Sequence, residues 1–263
     1  MVKLIQMNSD FKQHIINSLK QDTRGDGRKC DEFRDLSIET GISKTAEGSA
    51  RVKLGKTEVM AGVKLGVGDP FPDTPDAGVI MVNAELLPLS NPDFESGPPG
   101  IQAVELARVV DRGIRESKAI DMKDLVIRKG EKCWLVQVDI CTINDAGNLL
   151  DASALAVLSA LNNTYFPKYE NDEIDYKTKT DKKLELKKLP ITVTVSKIGP
   201  SLVVDPTTEE ENYIDARLTV ALNSDNTICA LQKGEAMELT LEEIEKMLDI
   251  ATQKATEIRE KMN

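Results

Sequence analysis

Histidine is almost missing from this 263-residue chain, where His14 stands alone. With no second histidine and no cysteine beside it, it can build neither a Cys-His nucleophile nor a histidine-rich metal site. Cysteine is also scarce. Cys30, Cys133, Cys141 and Cys229 include no CxxC pair, which excludes a zinc knuckle and a thioredoxin-like redox motif. Cys133 and Cys141 lie in or beside an apolar run, where a reduced thiol acts as a small hydrophobe. No run of eighteen apolar residues occurs, so no membrane span is expected. Residues 1–8 lack the charged, apolar and small-residue sections of a secretory leader, and the expectation is a cytoplasmic protein with no membrane partner. An excess of positive charge is lacking too: 34 Lys and Arg against 44 Asp and Glu leave a net charge of −10. Coating nucleic acid needs a positive field that displaces counterions, so any such contact here must be local.

What remains is 40% apolar and 30% charged residues, enough for a sizeable core in one large or two medium domains. Ser9 or Asp10 can cap a helix running to about Gln21, with Phe11, Ile15, Ile16 and Leu19 at helical spacing. Residues 36–40, 49–54, 57–67 and 78–89 read as strands, the second and third joined by a tight turn at Gly55-Lys56. The segments GVGDPFPDTPDAG and SNPDFESGPPG are too rich in Pro, Gly and Asp for regular structure and read as loops. Residues 100–119 form the clearest helix, residues 132–143 a strand expected to be buried on both faces, and the alanine-studded residues 148–164 a second helix. Residues 169–188, dense in Lys, Asp and Glu, are expected to be an exposed connection with little core. Beyond it, residues 191–198, 201–205, 213–222 and 227–233 read as strands and 241–262 as a long amphipathic helix. Strands followed by helices, twice over, predict an α+β or mixed α/β fold of two pseudo-equivalent halves, sheets covered by helices.

Several motifs then occur in a fixed order. RGDGR at residues 24–28 precedes AEGSAR at 46–51 and GKTEV at 55–59. ELARVVDRGIRESKAID at 105–121, Asp145-Ala146-Gly147 and VDPTTEEENYIDARLTV at 204–220 follow. This series resembles the RNase PH family, and specifically the non-catalytic ring subunit of the archaeal exosome. The resemblance spans residues 24–233. It implies an RNase PH-like fold of two βαβ-type subdomains, here drawn as residues 24–168 and 190–263, with an N-terminal helix in 1–23 and the charged connection at 169–189. It further implies an alternating hexameric ring of three heterodimers with a catalytic RNase PH-like subunit, RNA-binding cap subunits on that ring, and 3′-to-5′ phosphorolysis of single-stranded RNA.

Phosphorolysis needs an anion site for phosphate, a carboxylate near the scissile bond and cations for the RNA backbone. Active relatives follow a DGG or DAG turn with Ser or Thr and then Arg at a helix start, where free N–H groups and the helix dipole face an anion. Here Asn148, Leu149 and Leu150 follow the turn and supply neither hydroxyl nor guanidinium. Bare N–H groups leave only a weak anion site as an alternative to a structural turn. Active relatives also place two aspartates six residues apart near the third strand of the second half. Aligned on Val204-Asp205, Glu211 and Asp215 fall near those positions but stand closer together. Asp205, Glu209, Glu210, Glu211 and Asp215 make an acidic cluster that could attract a hard cation, though a solvated loop is the plainer expectation. No catalytic residue, metal ligand or cofactor is therefore assigned.

Arg108, Arg112 and Arg115, at i, i+4 and i+7, project within roughly 60° of one another on a helix. Ala103, Leu106, Val110 and Ile114 take the opposite face, so the arginines must meet solvent or a partner. A guanidinium fork suits phosphate, and such contacts are independent of base sequence. The plainer alternative is a self-neutralised surface in which Glu105, Asp111 and Glu116 pair with Arg108, Arg115 and Arg112. The resemblance favours RNA binding by Arg108 and Arg112, with Arg115 a weaker candidate. Two competing functions stay open: a self-sufficient phosphorolytic exoribonuclease, suggested by the retained DAG turn, and a purely structural partner without RNA contact.

Overall fold

The computed structural model describes residues 2–262; Met1 and Asn263, the outer bounds of the expected first and last segments, lie outside them. In chain order the elements are α1 (Val2–Leu19), β1 (Leu36–Thr40), β2 (Gly48–Leu54), β3 (Thr57–Gly68), β4 (Val79–Glu85) and α2 (Ile101–Glu116). A short 3-10 turn (Met122–Leu125) leads to β5 (Val126–Arg128), β6 (Lys132–Asn144), α3 (Leu149–Asn162), β7 (Tyr165–Glu170) and β8 (Glu173–Lys183). The second half holds β9 (Ile191–Ile198), β10 (Ser201–Val204), α4 (Thr208–Glu211), β11 (Ala216–Leu222), β12 (Ile228–Gly234) and α5 (Leu241–Met262).

The first sheet runs β1-β2-β3-β6-β4, with β5 also on β6. Only β4 lies parallel to β6, and a parallel neighbour needs a crossover, which α2 supplies. The second sheet runs β10-β9-β11-β12 and is antiparallel throughout. Between the sheets lies α3, packed on β2 and β3 from one side and on β9 from the other. Every residue from Asp151 to Leu161 is buried, because a helix apolar all round has no face to give to water. Beside it α2 touches β4 and β12, and α5 closes the far face of β9 and β11.

This layering corrects the expectation for β6. The strand alternates, with Val136, Val138 and Ile140 buried and Gln137 and Asp139 exposed, because only one face of the first sheet is covered. The outer face carries Arg51, Lys53, Glu58 and Lys64, none of them buried. Burial on both faces belongs instead to β11, whose seven residues are all buried between helices on either side.

The charged connection is also not irregular: β7 and β8 pair as an antiparallel hairpin. Its register holds because aromatic residues sit among the charges. Phe166 and Tyr169 meet Trp134 with ring centroids 5.2 and 5.6 Å apart. At the other end α1 begins at Val2, so Ser9 and Asp10 lie inside the helix rather than capping it. Ile15, Ile16 and Leu19 pack it against Ile198 and Val203 at the β9–β10 turn. Among the described residues no helix is long and apolar enough to cross a membrane.

Candidate functional site

The first candidate region is the start of α3. β6 delivers the chain into the turn Asp145-Ala146-Gly147, where Gly147 takes a φ of +93° and Asn148 one of +59°. The Asp145 carboxylate is turned inward on its own loop, accepting from Gly147 N–H at 3.0 Å and from Asn91 Nδ2 at 2.8 Å. A Cβ at Gly147 would come 2.7 Å from the Thr207 carbonyl carbon and 2.8 Å from Thr208 N, so backbone of the second half lies directly over the turn.

That backbone leads into α4, which lies in the stretch expected to be a solvated acidic loop. Thr207 and Glu210 form a reciprocal capping box at its start, a signal present in the sequence as Thr-x-x-Glu. Its last residue, Glu211, extends a carboxylate to the start of α3, where Oε1 accepts from Asn148 N–H at 2.7 Å. One of the donors that could attract an anion is thus occupied by an internal one. Burial pushes the Glu211 carboxyl up to about 7 against that hydrogen bond; the charge of Asp145 adds to the rise, and Arg34 and Arg217 oppose it.

Of the remaining acids of the expected cluster, Glu209 is exposed, and Asp205, Glu210 and Asp215 are dispersed, each to its own cation or donor. Asp205 is fully buried and accepts from Arg34, at 2.6 Å to Nη2, and from Arg28 at 3.1 Å. Glu210 grips Arg24 through two nitrogens, while Asp215 takes Lys12 at 3.0 Å and Gly199 N–H at 2.7 Å. Among the described residues no three His, Cys, Asp or Glu side chains converge as metal ligands would. The arginines of the RGDGR motif are therefore braces. Arg24 donates to the carbonyls of Val204 and Asp205, and Arg34, just beyond the motif, to those of Ala146 and Gly147.

Inside α3, Asp151 is fully buried and accepts from Thr194 N–H, the Thr194 hydroxyl and Asn148 Nδ2. Burial raises its carboxyl to about 6 in spite of these donors, with the charge of Asp205 acting the same way. Leu149 and Leu150, which follow the turn, pack against the core.

The second region is the outer face of α2. Ala103, Leu106, Val110 and Ile114 are buried as expected, at 4% exposure or less. Arg108, Arg112 and Arg115 are all exposed on the opposite side. Their surroundings differ. Arg115 is spent on Asp111, with Nη2 2.8 Å from Oδ1, and on the Ile80 carbonyl. Arg112 makes one long bond, 3.4 Å, to Gln232. Arg108 has no hydrogen-bond or ion-pair partner among the described residues. Of the three self-neutralising pairs that the spacing allows, only Asp111–Arg115 forms; Glu105 turns instead to Arg217 on β11, at 2.6 Å. Arg108 and Arg112 line one groove of about 420 Å³ with Ile101, Val104, Gln232 and Glu105, the last held by Arg217. Ile101 is 89% exposed and Val104 46%, an apolar side to the same groove.

Comparison with known proteins matches both halves. The 3′ exoribonuclease family matches with its domain 1 over residues 32–167 and its domain 2 over residues 188–254. A protein of Methanopyrus kandleri named exosome complex component Rrp42 is 45% identical over 252 residues, covering 95% of this chain and 94% of its own. The protein of the same name from Thermococcus gammatolerans is 47% identical, covering 95% and 92%. Among solved structures, a chain of the Archaeoglobus fulgidus exosome with RNA bound to the active site superposes with a TM-score of 0.91 at 45% identity, over 98% of this chain and 99% of that one. Two family domains matched in order, two sheets with a helical layer between them and near-complete coverage by these relatives lead to one assignment. The chain belongs to the RNase PH-like 3′ exoribonuclease family, on the branch whose archaeal members are named exosome complex component Rrp42.

Proposed function

We propose that this chain is the non-catalytic ring subunit of an archaeal-type exosome, a complex that shortens RNA from its 3′ end by phosphorolysis. It alternates with a catalytic RNase PH-like subunit in a hexameric ring of three heterodimers, beneath RNA-binding cap subunits, and works in the cytoplasm. The observation that carries the reading is the start of α3. Glu211 occupies the Asn148 N–H, and leucines stand where phosphate would need a hydroxyl and a guanidinium. An anion approaching this point finds the Asn148 N–H already taken by the Glu211 carboxyl, which disfavours a seat for inorganic phosphate there.

The contribution to RNA comes from α2. Arg108 and Arg112 present unneutralised guanidinium groups to the 420 Å³ groove and hold the phosphate backbone without reading bases. Arg115, already paired with Asp111, contributes less. The exposed Ile101 and Val104 in the groove suit a protein neighbour, which would bring the arginines to the margin of the catalytic subunit's site.

The test is a phosphorolysis assay on single-stranded RNA with inorganic phosphate. The purified chain alone should release no nucleoside diphosphate, and the same chain assembled with its catalytic partner should release it. Phosphate-dependent release by the isolated chain overturns the reading in favour of a self-sufficient exoribonuclease.

A further inference from the structure

Glu105 stands three residues before Arg108, a spacing at which an acid and a base on a helix meet on the same face. They do not pair. The Glu105 carboxylate accepts instead from Arg217 Nη2 at 2.6 Å. Arg217 reaches it from β11 with a side chain only 11% exposed, and Glu235 lies 3.6 Å from its Nε. One carboxylate is therefore contested by two guanidinium groups. The buried one has the stronger claim, because a buried charge left without its partner is far costlier than an exposed one left to water.

We propose that Arg217 is a positioning residue for RNA binding: by holding Glu105 against β11, it keeps Arg108 free of an internal counter-ion. This deepens the reading above and rests on Arg108 touching RNA. With Arg217 neutral, Glu105 is released to its helical neighbour, and an incoming phosphate must displace a carboxylate before it can bind. The sign of the effect follows from where Glu105 goes, so removing the Glu105 charge as well should cancel it. A purely structural role for Arg217 gives no such cancellation.

The experiment measures binding of fluorescent single-stranded RNA to the assembled complex with the catalytic partner, carrying R108A, R217M, E105Q or R217M/E105Q. R217M keeps the aliphatic stem while removing the guanidinium, the part that lies beside Gly234. Expected are a weakening of about fivefold for R217M, the size an exposed ion pair can impose, and recovery in R217M/E105Q. Weakening by R217M that E105Q does not rescue, or no weakening at all, overturns the proposal. E105Q alone tests the same point, its amide oxygen still able to accept from Arg217 and Glu235 remaining near the guanidinium. Because Glu105 is already sequestered, affinity should stay within about twofold of the parent, and a tightening of about fivefold or more would show that Glu105 already shields Arg108. R108A separates the two ideas: if it leaves affinity unchanged, the RNA-binding reading itself fails.

Discussion

The start of α3 and the outer face of α2 contain the same two ingredients, donors that suit an anion and carboxylates within reach, combined in opposite senses. At α3 a carboxylate from sixty-three residues away is brought onto the donor. At α2 a carboxylate three residues away is drawn off by an arginine from another element. One surface is closed to anions and the other kept open, although the whole chain carries a net charge of −10. Where each acid is tethered, rather than how many there are, decides which donors remain free for a polyanion.

The contrast breaks most sharply if the open surface is removed. R108A/R112A in the assembled complex should lower RNA affinity by roughly 100-fold at low salt, two charge-assisted contacts at about 1.5 kcal/mol each. It should also reduce the slope of log affinity against log salt by about 1.4, as expected for two contacts to a single strand. Binding titrations across salt concentrations check both, and an unchanged slope would place the RNA elsewhere.

The closed surface is probed by pH. Glu211 has its carboxyl raised from 4.5 to about 7, so the folded chain holds this proton more tightly than the unfolded one. The resulting stability is fully present below pH 4.5 and lost as pH rises through about 7, a fall on the order of 3 kcal/mol at about 1.4 kcal/mol per unit. E211Q should flatten that fall, leaving the lower window of Asp151, between 3.8 and about 6. Denaturant unfolding of both proteins from pH 4 to 8 measures it, and parallel curves would mean that Glu211 does not titrate in this range. The smallest effect sharpens the comparison within α2 itself. R115A should weaken RNA binding by less than about threefold in the same titrations, because Asp111 already holds that guanidinium; a loss equal to that of R108A would show the pair opening for RNA.

Much of the frame could be read from residue order. The bounds of β1, β9 and α5 follow directly from apolar spacing, and the apolar stripe of α2 fixes where its arginines point. The β7–β8 hairpin escaped because charges dominate its composition, while its register depends on Phe166 and Tyr169 finding Trp134. The two-sided burial expected of β6 belongs to β11, since apolar content alone does not say which sheet lies between helices. At the site, the absence of a hydroxyl and a guanidinium just after the DAG turn is visible in the letters. The role of Glu211 is not, nor that of Arg217, because each acts on a partner in the other half of the chain. Nothing local marks such a residue; only Thr207 and Glu210 announced the short helix that delivers Glu211.

Because α3 has no outward side, the two sheets share a single lining. A fluctuation that lifts either sheet strips the cover from the helix and exposes the other sheet at the same moment. Opening at this seam therefore costs about as much as unfolding everything, and the amides of α3 should be among the last to exchange with solvent. The chain would then act as a stiff spacer, transmitting the position of any neighbour instead of yielding to it.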